Sequence, residues 1–222
     1  METKCGSWYS LLVIPDGEPV PAWLRDLADA AGAMEVPPLF RPPARGGRAS
    51  AVLVLFAVGR NGPDLLLIRR SEGLRLHAGQ PAFPGGAIDA ADDGPVAAAL
   101  REAAEEVGID PGGVDIVGTM PELFIPPTGF RVVPVIAWWR RPVAVSPVDL
   151  GEVAGVERVS VSELANPAAR LMMHGPGEIM TPAFRVAGML IWGFTGVLID
   201  RLIVLAGWER PWDTSKVTDA TG

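Results

Sequence analysis

The chain has 222 residues, enough for one domain with a substantial core, and a formal net charge of −7 at neutral pH. That balance argues against non-specific nucleic-acid binding, which needs a basic footprint. With 49% hydrophobic and 20% charged residues the composition also excludes a disordered chain. A phosphorylated small molecule is not excluded, because a bound metal can supply positive charge.

Cys5 is the only cysteine, so no intrachain disulfide forms, and Met1 to Cys5 lacks the basic and apolar regions of a signal peptide. Both point to a reducing cytoplasm. Residues 1–48 are rich in proline and read as an extension, with a short helix from Ala22 to Ala31 started by Pro21. Pro37-Pro38 and Pro42-Pro43 read as an extended connector. The main domain is expected over 49–208, with 209–222 as a flexible tail.

Ala51 to Val58 reads as a buried strand, and Leu65 to Arg69 returns as its hairpin partner across Asn61-Gly62. Residues 71–82 form a loop leading to Phe83-Pro84-Gly85-Gly86. A helix follows from Pro95 to Val107, ended by Gly108. Strands are expected at Val114 to Leu123, Arg131 to Trp139 and Val153 to Val159, with a short helix at Ser162 to Ala165. A long apolar helix is expected from Val186 to Leu205. Its uncharged run ends at Asp200-Arg201, short of the roughly 20 residues a membrane span needs, so it reads as a buried helix rather than a membrane anchor. The order of elements predicts an α+β fold, an α/β/α sandwich around a mixed sheet.

The helix of 95–107 is the most informative segment. At 100° per residue, Glu105 and Glu106 lie within about 60° of Glu102, on opposite sides of it. The apolar set Val96, Leu100, Ala103 and Val107 lies elsewhere on the helix, toward a core. Acids at the helix C-terminus oppose the macrodipole at about 0.3–1 kcal/mol each, and Glu102 and Glu106 repel at i,i+4. A cluster that disfavours its own helix points to cations, and clustered carboxylate oxygens suit Mg²⁺ or Mn²⁺.

Gly86 to Ile109 resembles the Nudix box, G-x5-E-x7-R-E-U-x-E-E-x-G-U, where U is aliphatic. Arg101-Glu102-Ala103, Glu105-Glu106 and Gly108-Ile109 match its second half. The first half departs: Gly86 and Arg101 are one residue further apart than the pattern allows, and an aspartate replaces the internal Glu. Asp92 keeps the spacing to Gly86, Asp93 the spacing to Arg101. Upstream, Leu66-Leu67-Ile68-Arg69-Arg70-Ser71 with Arg75, Gly79 and Phe83-Pro84-Gly85-Gly86 resembles the coenzyme A pyrophosphatase signature L-L-T-x-R-S/A-x3-R-x3-G-x3-F-P-G-G, with Ile68 in place of Thr. His77 and Gln80 resemble the H-x-G-Q stretch of such relatives. Asp89 continues the Gly-Gly-x-x-Asp pattern, and Ile191-Trp192-Gly193-Phe194-Thr195 is similar to their I-W-G-x-T.

The resemblance implies metal-dependent hydrolysis of the diphosphate of coenzyme A or its derivatives, giving 3′,5′-ADP and 4′-phosphopantetheine. Alternatives are another nucleoside diphosphate derivative such as NADH or ADP-ribose, or a Nudix-like binding module with weak turnover. Glu105, Glu106 and the Gly86 carbonyl are the expected metal ligands, and Glu102 is a ligand or the base that deprotonates water. Arg101 is expected to orient a carboxylate. Arg70 and Arg75 are candidates for phosphate oxygens, because the guanidinium is a planar fork of donors. Ser71, Gly79 and Gly85 join them as substrate-binding positions from the signature. Glu152 and Glu157 are candidates for a further, distal acid. His77 reads as a hydrogen-bonding loop residue before a base, and Trp138, Trp139 and Trp192 as core or interface aromatics before adenine platforms. Monomer and homodimer both remain open.

Overall fold

A computed structural model of the chain describes residues 17–74, 77–126, 128–174 and 179–219. Strand alternation sets its layers. Along β1 (Arg48–Gly59), Ala51, Leu53, Leu55 and Ala57 enter one core cluster, while Val54 and Phe56 enter another on the opposite face. The next strand, β2 (Gly62–Arg70), splits likewise, with Leu66 and Ile68 on the first face and Leu65 and Leu67 on the second. A sheet buried on both faces needs such near-continuous apolar runs.

The remaining strands of this sheet are β3 (Pro81–Ala82), β4 (Gly85–Ala87), β5 (Val114–Thr119), β6 (Leu123–Ile125), β7 (Phe130–Trp139) and β8 (Val153–Ser160). Among the described residues the order is β3-β2-β1-β7-β5, with β4 on β1, β6 on β7 and β8 on β2. β1 and β7 run parallel and the other pairs antiparallel, so the sheet is mixed. α1 (Ala22–Gly32) covers the second face, and α2 (Gly94–Val107) covers the first. α2 buries Ala98, Ala99, Ala103 and Val107, whose small side chains admit the helix close to the sheet, whereas Val96 and Leu100 are only partly buried. Gly108 ends it in the left-handed conformation at φ 73°, its N–H bonded to the Ala104 carbonyl.

The strand expected over 114–123 is divided, β5 ending at Thr119 and β6 starting at Leu123, with Pro121 unable to donate to the ladder between them. After the short α3 (Val161–Leu164) comes β9 (Arg170–His174). The apolar run expected as one helix from Val186 is instead a hairpin followed by a helix: β10 (Met180–Val186), β11 (Met189–Ile191) and α4 (Gly193–Leu205). Ala187 and Gly188 turn the hairpin at φ 50° and 71°, both left-handed as a two-residue hairpin turn requires.

A second sheet runs β11-β10-β9-β12, with β12 (Val217–Thr218) parallel to β9. The stretch expected as a loose tail therefore pairs with β9 through Val217 and Thr218. Arg170, 1% exposed, pairs with Asp200 and Glu209 and lies 4.4 Å beneath the Trp212 ring. The proline-rich N-terminal stretch contributes Leu24, Leu27, Ala28 and Ala31 to the same core as Phe56 and Trp138. Trp138 and Trp139 are buried core residues, and the Trp138 Nε1–H donates to the Glu18 carbonyl at 2.7 Å. Among the described residues no helix is long and apolar enough to cross a membrane.

Candidate active site

β4 leads into the loop before α2 and lies antiparallel on β1, with Gly85 opposite Val52 and Gly86 opposite Ala51. Backbone demands glycine at Gly85, while Gly86 faces the end of the Glu102 side chain. Gly85 has φ 154°, and a Cβ there would stand 2.3 Å from the Ala51 carbonyl oxygen; one on Gly86 would stand 2.4 Å from a Glu102 carboxylate oxygen. The Gly85 N–H donates to Glu106 Oε2 at 3.0 Å. Strand β4 and helix α2 thus meet through Glu102 and Glu106.

Glu106 is 6% exposed. Burial pushes its carboxyl up to about 7, with the charges of Glu102 and Glu152 adding to the rise and the Gly85 N–H and Arg70 opposing it. Glu102 is also raised, chiefly by burial, against the pull of Arg101. Glu105 sits on the outer side of the helix and bonds Arg101.

Arg101 is the hub. Its Nε and Nη2 each donate at 3.0 Å to one oxygen of Asp92, Nη2 also donates to the Ala87 carbonyl at 3.1 Å, and Nη1 donates to Glu102 and Glu105, both at 3.0 Å. The bidentate bond to Asp92, first, and then Glu102 raise the guanidinium pKa further, and the same Arg101 contact lowers that of Asp92. Of the two aspartates that spacing left equivalent, Asp92 takes the loop-supporting position. Asp93 is the helix N-cap residue and makes no side-chain capping bond.

The upstream signature folds into one knot beside this cluster. The Arg70 N–H donates to the Gln80 carbonyl, the Gly79 N–H to the Arg70 carbonyl, and the Ser71 N–H to the Glu152 carbonyl at 2.8 Å. Gly79 holds φ 69°. His77 Nδ1 lies 2.8 Å from Gln80 Oε1, the loop contact its sequence context suggested. Arg70 is half-buried and its Nε is buried without a hydrogen-bond partner. Arg75 lies outside the described residues.

The two distal acids separate cleanly. Glu152 stands next to the β2–β8 bulge and its charge reaches Glu106. Glu157 is opposite Leu67, so it projects on the sheet face away from α2 and does not belong to the site.

Among the described residues no three His, Cys, Asp or Glu side chains stand ready to hold a metal. Glu102 and Glu105 are drawn onto Arg101 and Glu106 onto Gly85. The donor chemistry nevertheless fits a hard cation: two partly or fully buried carboxylates, Glu102 and Glu106, with Glu105 and Glu152 nearby, packed against the two glycines of β4.

A family model for the NUDIX domain matches residues 47–180. The chain belongs to the Nudix family and is a pyrophosphohydrolase. It is 38% identical over 185 residues to a protein of Citrobacter koseri described as "Uncharacterized Nudix hydrolase NudL", covering 76% of this chain and 90% of that one. A protein of Escherichia coli O7:K1 with the same description is 47% identical over 169 residues, 72% of this chain and 83% of its own. The crystal structure of a Nudix hydrolase from M. smegmatis, RenU, shares the fold with a TM-score of 0.53 at 22% identity, over 76% of this chain and 91% of that one.

Proposed function

We propose that the chain hydrolyses the diphosphate of coenzyme A or its derivatives, releasing 3′,5′-ADP and 4′-phosphopantetheine, in the cytoplasm. The observation that carries this reading is the knot of Arg70, Ser71, Gly79 and Gln80, which lays the signature segment directly beside Glu102, Glu106 and Glu152. Arg70, with its unpartnered Nε, is the donor for a diphosphate oxygen. Arg75, from the same signature, is a second candidate for that role.

Nudix hydrolases use divalent metal ions, and Mg²⁺ or Mn²⁺ is the fitting class here. Glu102, Glu106, Glu105 and the Gly86 carbonyl are the residues that would hold the ion, with Glu152 as the distal acid. The ion supplies neutralisation of the diphosphate oxygens and a more acidic attacking water. Arg101 Nη1 holds Glu102 and Glu105, and so fixes the direction those carboxylates face. Glu106 keeps its orientation through the Gly85 N–H. Glu102 either ligates or takes the water's proton, and burial, by raising its pKa, suits it to the second role.

The test is hydrolysis of coenzyme A, NADH, ADP-ribose and dATP by purified protein with Mg²⁺ or Mn²⁺, products resolved by chromatography. Coenzyme A is expected to have the highest kcat/KM. A higher value for NADH or ADP-ribose overturns the substrate assignment, and hydrolysis of none favours a binding module.

A further inference from the structure

Asp200 and Arg201 break the apolar run of α4, and the fold accounts for only the first. Asp200 pairs with buried Arg170. Arg201 ends the stripe Phe194, Val197, Leu198 and Arg201, whose i, i+3, i+4, i+7 spacing sets all four on one face of the helix. A charged residue thus stands where the pattern calls for an apolar one. These four side chains line a cavity of about 190 Å³. Its other walls include Met34 and Phe40 of the N-terminal stretch, and Met120 and Leu123 at the break between β5 and β6. Met120, Leu123 and Leu198 belong to the core on the second face of the sheet, so the cavity lies across the sheet from α2 and its glutamates.

The Nε of Arg201 is buried and has no hydrogen-bond partner among the described residues. A buried donor left unpaired bears its full desolvation cost, so an acceptor brought to it is favoured. The walls are mostly apolar side chains, which suit an apolar body better than a water needing several polar partners. Size sets that body, since an apolar cavity of roughly 150 Å³ takes a benzene. Charge sets the head group. Asp200 also lines the cavity, and burial already pushes its carboxyl up, so a second anion is disfavoured there and a neutral acceptor is not. We propose that the cavity is a second ligand site, for a small molecule with an apolar body of about six carbons and one neutral carbonyl, as in an aliphatic amide or ester. The carbonyl oxygen accepts from Arg201 Nε, and the two methionines adapt to the chain. The site is independent of the reading of the carboxylate cluster.

The test is titration of the full chain, its methionine methyls labelled with ¹³C, with hexanamide, hexanoate and hexylamine, followed by NMR. The Met34 and Met120 signals, assigned through M34L and M120L, report on the cavity walls. Hexanamide is expected to shift both signals with a Kd on the order of 1 mM, as a ligand of that size allows, and to raise the unfolding temperature. Hexanoate, an anion, and hexylamine, which lacks the acceptor oxygen, are expected to bind more weakly. Arg201→Met keeps the apolar stem and removes the donor, and is expected to weaken hexanamide by about 10-fold while leaving hexylamine unchanged. Val197→Phe fills the cavity and is expected to abolish the shifts. No saturable shift at either methionine overturns the site. Equal hexanamide affinity in wild type and R201M removes the donor role, and tighter binding of hexanoate than of hexanamide overturns the neutral head group. Should V197F fail to fold, R201M decides: selective loss of hexanamide affinity supports the site, and an equal loss for hexylamine overturns it. None of these readouts depends on a metal or on turnover, so failure of the substrate assignment leaves the result standing.

Discussion

Glu106 joins the helix to the strand and carries the highest carboxylate cost in the site, a buried acid facing two others. Glu106→Gln retains an oxygen for the Gly85 N–H but loses the charge a cation needs. Turnover is expected to fall by orders of magnitude with the circular dichroism spectrum and unfolding temperature preserved; near-normal turnover removes Glu106 from the ligand set. Gly85→Ala acts differently, because a methyl 2.3 Å from the Ala51 carbonyl oxygen displaces backbone. With the unfavourable φ it is expected to cost about 1–3 kcal/mol or more in urea unfolding and to abolish activity with it. At this scale the sequence was legible in which residues come together: the three glutamates, Arg101 and the two glycines. It was silent where two equal candidates lie one bond apart in register. Asp92 and Asp93 fit the spacing equally well from opposite ends, and only the reach to Arg101 separates them. Glu152 and Glu157 likewise look alike until the pairing of β8 with β2 sends the odd-numbered Glu157 to the other face.

The elements that the sequence announces are those with one dominant signal: the β1–β2 hairpin across Asn61-Gly62 and the helix ending at Gly108. The run from Val186 defeated that logic, because a doubly buried hairpin and a buried helix both read as continuous apolar sequence. The deciding signal is local: Ala187-Gly188 is a two-residue turn with both residues left-handed, which closes Val186 onto Met189. Gly188→Val places a β-branched residue at φ 71°, and it is expected to destabilise the protein by about 1–2 kcal/mol, read from the urea midpoint at unchanged slope. An unchanged midpoint removes the left-handed requirement at position 188 as a source of stability. The C-terminal stretch illustrates the converse. Its hold depends on buried Arg170, which Asp200, Glu209 and Trp212 engage from three distant points in the sequence, and no local pattern encodes that convergence.

Across the whole molecule, the carboxylate cluster couples folding, protons and metal. Burial lifts Glu106 from an ordinary value of 4.5 to about 7, so the metal-free folded state binds a proton that the unfolded chain releases over that interval. The stabilising contribution of the protonated group is fully present below pH 4.5 and is lost as the pH rises through 7. The difference in unfolding free energy between wild type and Glu106→Gln is therefore expected to move against wild type between those pH values, by at most about 3 kcal/mol. A cation reverses the preference, because it binds only the ionised carboxylate. Mn²⁺ affinity of wild type is expected to fall as pH drops below 7, with a proton released on binding, and calorimetry in buffers of different ionisation enthalpy measures that release directly. In Glu106→Gln the residual binding is expected to lose this step near neutrality. Proton release near pH 7 that persists unchanged in Glu106→Gln assigns the titration to another group and removes Glu106 as the link between metal and stability.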